Sequence, residues 1–112
     1  MSLRILTMPF ELDGHKQLRL VAVWDNKLVG VATIMNPGKI ASTICQVFVS
    51  DEWRGQGIGT ALVNQACAEM RSLGSKALSA IVTEHGPMGF WASLGFFPVH
   101  CEQDSVLVSK QL

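Results

Sequence analysis

At 112 residues the chain is long enough for one domain with a buried core, residues 1–112, and for little more. Apolar residues make up 48% of it and charged ones 16%, with nine basic and nine acidic side chains, so no overall field favours nucleic acid or an anionic membrane surface. No apolar run approaches the ~20 residues that span a bilayer, and no signal-peptide pattern opens the chain.

Leu3 to Met8 reads as a short apolar strand stopped by Pro9. Leu18 to Trp24 and Leu28 to Met35 are β-branched and apolar, and Asp25-Asn26-Lys27 between them is hairpin chemistry, because Asp and Asn tolerate positive φ. Asn36-Pro37-Gly38 supplies the next turn, and Ile40 to Val49 the fourth strand. The period then changes. Ile58, Leu62, Ala66, Met70 and Leu73 recur at three- and four-residue steps, one face of a helix that Gly74 ends. Ala77 to Thr83 is a fifth strand. Pro87 opens a second helix with Met88, Trp91 and Leu94 on one face and Gly95 after it. Phe96 to Cys101 and Val106 to Lys110 complete the order ββββ-α-β-α-ββ, an α+β domain with a mixed, mostly antiparallel sheet.

Cys45, Cys67 and Cys101 are widely spaced and form no C-x-x-C, which reads as reduced thiols packed in the core of a cytoplasmic protein. His100 beside Cys101 has no second ligand pair at a useful spacing, so no metal site is expected.

The stretch VFVSDEWRGQGIGTALV, Val47 to Val63, is a strand, a glycine-rich turn and a helix. Backbone N–H groups in such a turn, followed by a helix N-terminus, suit a phosphate group. A triphosphate-binding loop needs a Lys-Ser/Thr pair after its last glycine, whereas Gly59 precedes Thr60-Ala61. A dinucleotide turn needs G-x-G-x-x-G, and the spacing of Gly55, Gly57 and Gly59 is G-x-G-x-G. What remains is Arg54-x-x-Gly57-x-Gly59 after a strand, with Leu94-Gly95-Phe96 downstream. This pattern, over roughly residues 18 to 110, resembles the GNAT superfamily of N-acetyltransferases.

The resemblance implies that acetyl-coenzyme A is the donor. Its pyrophosphate would rest on Arg54, Gly55, Gln56, Gly57, Ile58, Gly59 and Thr60, and its pantetheine arm would pair near Phe48 and Val49. The thioester would lie where the fourth and fifth strands part, with the Val49 N–H as oxyanion donor. Relatives often place a thiolate-protonating tyrosine where this chain has Trp91, and the chain contains no tyrosine at all. Glu84 and His85, after the fifth strand, are the expected proton-handling residues. Relatives also carry helices between their first two strands, and Pro9 to Gln17 is too short for them. The acceptor side is therefore expected to be open or completed by another chain, which points to a homodimer. The expected reaction is acetyl transfer to a small amine or a peptide or protein amine, without nucleic acid or membrane. The alternative is a non-catalytic acyl-CoA-binding regulatory module.

Overall fold

A computed structural model describes residues 2–83 and 86–112. Among these, seven strands form one sheet in the order β1-β2-β3-β4-β5-β7-β6. The elements are β1 (Leu3–Leu12), β2 (His15–Trp24), β3 (Lys27–Met35), β4 (Ala41–Val49), α1 (Ile58–Ser72), β5 (Ala77–Thr83), α2 (Met88–Ser93), β6 (Phe97–Cys101) and β7 (Ser105–Gln111). Every neighbouring pair is antiparallel except β4 with β5.

The first strand departs from the sequence reading. Pro9 does not stop it: β1 runs on to Leu12, with Pro9 opposite Leu18. The strand lies at the sheet edge, where a missing N–H breaks no ladder between two neighbours. Asp13 and Gly14 then turn the chain with φ of 51° and 78°, as Asp25 and Asn26 do at 47° and 68°. Two left-handed residues in a two-residue loop give the twist that a tight hairpin needs. Consequently β2 begins at His15, three residues before the apolar run.

Helix α1 lies across one face of the sheet. Ile58, Leu62, Ala66 and Met70 of the expected stripe are buried, while Leu73, at the helix end, is exposed. Opposite them stand Leu20, Ala22, Ala32 and Ile34. The contact is close at Gly30, where a Cβ would sit 3.0 Å from Phe48 O and 3.2 Å from both Ile58 Cγ2 and Leu62 Cδ1. Helix α2 lies on the same face. Lys110, which pairs with the buried Leu78, donates from Nζ to Leu94 O at the helix end, 2.9 Å away.

Two features of β4 position the site. Thr33 pairs with Gln46 and Ile34 with Ile44, so Cys45 is one extra residue, a β-bulge. The burial phase changes there: Ser42 and Ile44 face the core before it, Val47 and Val49 after it. A bulge bends its strand. Beyond it β4 leaves β5, and the two pair only over Ala41–Ile44 and Ala77–Ala80. Strand β5 continues with β7 as far as Thr83, opposite Ser105. The sheet is split from that point.

Candidate active site

The split opens into a cleft of about 1050 Å³. One wall is β4 from Thr43 to Val49, the other Ala80 to Thr83 of β5. Arg54, Gly55 and the start of α1 lie at one end, with Phe90 and Trp91 of α2 beside them. Phe48, Val49, Arg54, Gly55, Gly57, Ile58, Gly59 and Thr60 all line it. Gln56 does not; it is exposed in the same loop.

The glycine loop is built by its backbone. Gly55 and Gly57 have φ of 81° and 80°, and Gly57 is the residue before the first turn of α1. Side chains other than glycine pay roughly 1–2 kcal/mol in that conformation. Gly59 serves differently: a Cβ there would touch the Phe90 ring at 3.5 Å, so α1 and α2 approach closely at the cleft. The first N–H of this segment with a backbone acceptor is that of Ala61, bonded to Gly57 O at 3.0 Å. Among the described residues the N–H groups of Gly55, Gln56, Gly57, Ile58, Gly59 and Thr60 have no protein acceptor, and no side chain caps the helix. Six successive unpartnered donors thus run from the loop into the first turn of α1, at the positive end of a 15-residue helix.

Arg54 is anchored beside them. Its Nε donates to Val49 O at 3.3 Å and its Nη2 pairs with Asp51 Oδ1 at 3.3 Å. Both charged side chains are well exposed, so the pair holds geometry more than it adds stability. Ser50 N–H donates to Val29 O at 2.9 Å. In the antiparallel ladder the adjacent Gly30–Val49 pair is then of the non-hydrogen-bonded kind, so Val49 turns its N–H and C=O away from β3. That side of the strand is the cleft.

Trp91 is 7% exposed and packs edge-on against Phe90 and Phe96, with centroids 5.1 Å apart in each pair. It is a core residue that also lines the cleft. Arg54 is the one charged residue in the described lining. Glu84 and His85 lie outside the described residues.

The thiols correct the sequence reading in part. All three are free, but only Cys67 is buried; Cys45 and Cys101 are exposed. Burial pushes the Cys67 thiol up from its ordinary value, against the opposing pull of Lys110 and Arg71. Cys45 follows the core-facing Ile44 and so falls on the outward face; the bulge there shifts the alternation beyond it, turning Gln46 outward and Val47 inward. Sequence reasoning also missed Thr43, Gln46, Ile81 and Thr83 as lining residues. Their only sequence signal is alternation along strands that part. Among the described residues no three His, Cys, Asp or Glu side chains converge as a metal site, and no helix is long and apolar enough to cross a membrane.

A sheet split beside a glycine loop and helix N-terminus is the architecture of coenzyme-A-dependent acetyltransferases, and the acetyltransferase (GNAT) family model matches residues 4–96. The chain belongs to that family. Among solved structures it is similar to the PaiA N-acetyltransferase from Thermoplasma acidophilum in complex with coenzyme A (TM-score 0.79, 19% identity), over 86% of this chain and 61% of that one. It is also similar to an IAA acetyltransferase from Bacillus cereus (TM-score 0.85, 15% identity), over 99% of this chain and 100% of that one. A GNAT family acetyltransferase from Elizabethkingia anophelis with acetyl-CoA bound is similar over 86% of this chain and 76% of that one, with TM-score 0.75 and 17% identity. At these identities the likeness is one of fold. The chain thus spans less than two thirds of the first of these relatives and the whole of the second. No curated protein matches it.

Proposed function

We propose that this protein transfers an acetyl group from acetyl-coenzyme A to an amine, as a cytoplasmic enzyme acting as a pair of identical chains. One observation carries the reading: six unpartnered backbone donors from Gly55 to Thr60 stand at the mouth of the split between β4 and β5. A pyrophosphate presents acceptors on that scale and carries the charge that a helix N-terminus favours. Two of the family's solved members hold coenzyme A or acetyl-CoA, which supports the same donor here.

In this reading the donor's arm runs along the unpaired edge of β4 past Phe48, and Val49 N–H meets the carbonyl oxygen as it gains negative charge. The acceptor nitrogen forms the new bond to the acetyl carbon, and the sulfur leaves as thiolate. An alkylammonium has a pKa near 10, so it must lose a proton before attack. The apolar walls around Phe48, Ile81 and Phe90 favour the neutral amine by offering no polar partner to its charge. Glu84 and His85 are the proposed proton acceptors.

A second reading, an acyl-CoA-binding module without transfer, is favoured by one observation. The chain has no tyrosine, and Trp91 at the family's acid position is packed into the core. Thiol release from acetyl-CoA over a panel of small amines and peptides separates the two. We expect amine-dependent release, abolished in Gly57→Glu, whose carboxylate would sit against the phosphates. Tight coenzyme A binding with no release on any amine would leave only the module.

A further inference from the structure

Both helices lie on one face of the sheet, and among the described residues nothing covers the other. That face is apolar. Strands β1 and β3 contribute Leu6, Met8, Leu12, Leu28 and Met35, each between 39% and 66% exposed. Phe48, Ile81 and Phe97 continue it across β4, β5 and β6 at 49%, 62% and 50%. At roughly 200 Å² for a large side chain in full exposure, these residues present on the order of 800 Å². The total surface agrees. A folded monomer of 12.2 kDa is expected to expose about 6,060 Å². This chain exposes 6908 Å², an excess of roughly 850 Å². A standard protein interface covers about 800 Å² on each partner.

We propose that this face is where two copies of the chain meet, sheet against sheet, and that each copy closes the acceptor side of the other's cleft. The charge pattern selects a second copy. From β1 to β5 the outward positions of this face hold Arg4 and Arg19 and no Lys, Asp or Glu. Arg19 lies over the Phe10 ring at 4.6 Å, with its charge folded onto the sheet. Interface cores keep arginine and lose lysine and carboxylates. With no carboxylate among these positions a basic partner finds nothing to pair with here, whereas an identical, largely apolar face is self-complementary about a two-fold axis. Packed sheets stand about 10 Å apart. Met35, Thr43, Gln46, Phe48 and Ile81 belong both to this face and to the cleft lining, so a sheet laid on it roofs the split. The roof leaves space for a small amine and excludes a folded protein surface. That last step rests on the transferase reading; the pairing of copies does not.

The test uses Met8→Glu with Leu28→Glu, which line a hollow in the face with Val21 and Val31, away from the glycine loop. Sedimentation at about 50 µM is expected to give twice the 12.2 kDa chain mass for the wild type and a single chain mass for the variant. In a Cys101→Ser background, Cys45 at the bulge reports on the roof. Its alkylation by a bulky maleimide is expected to be at least tenfold faster in the variant. Coenzyme A affinity, measured on the same samples, is expected to match in both, so failure of the donor site is read separately. A wild type of single-chain mass overturns the proposal. So does a variant that stays paired, or a Cys45 that reacts equally fast in both.

Discussion

Residues at the glycine loop act through their backbones, which is why their effect was legible in the sequence. Positive φ at Gly55 and Gly57 is a demand that only glycine meets freely; the spacing of the glycines excluded the dinucleotide loop, and Thr60-Ala61 after Gly59 the triphosphate loop. Gly57→Ala carries the same conformational penalty as Gly57→Glu without its bulk or charge. We therefore expect calorimetry to show a modest loss of coenzyme A affinity for alanine and a loss of at least a hundredfold for glutamate. Equal losses would mean that loop shape, not an anion seat, governs binding. Trp91 belongs at this scale too. Its place with Met88 and Leu94 on one face of the second helix made it look like core from the sequence, and packed against Phe90 and Phe96 it is core. Trp91→Tyr should cost about 1 kcal/mol through lost volume. It is expected to raise kcat about tenfold or more if thiolate protonation limits the rate, since such assistance is worth about 10²–10⁴. A folded variant with unchanged kcat across the amine panel would remove the missing acid as the limiting defect.

At the scale of elements, order and type were readable while the joints were not. Tight-turn residues and the switch to helical spacing gave four strands, a helix, a strand, a helix and two strands, as observed. Pro9 misled because a proline signals a stop only where its N–H is needed, and an edge strand does not need it. The bulge at Cys45 had no signal, yet it parts β4 from β5 and so creates the cleft. Strand β7 lies inside the sheet between β5 and β6, so the free edges are β1 and β6. The packing of α1 on the sheet gives a prediction here. Gly30→Ala would force Phe48 O, Ile58 and Leu62 to move by tenths of an ångström, at a cost of about 1–3 kcal/mol. Thermal unfolding is expected to show a Tm lower by at least about 4 °C. An unchanged Tm would mean that α1 rides loosely on the sheet.

At the scale of the molecule, an uncovered sheet was legible in the sequence, because Pro9 to Gln17 leaves no room for helices there. The chain uses those residues for longer strands and a hairpin instead, and large apolar side chains left exposed on the sheet are the result. The expected proton-handling residues, Glu84 and His85, follow from their place after the fifth strand, and they lie outside the described residues. The proposed donor site is where fold, loop and helix dipole agree. Its most direct test is a titration of the isotope-labelled protein with coenzyme A, following the backbone amide resonances. Gly55, Gln56, Gly57, Ile58, Gly59 and Thr60 are expected to show the largest downfield proton shifts, as six free donors gain acceptors. Saturable binding that leaves those six resonances in place would contradict that expectation.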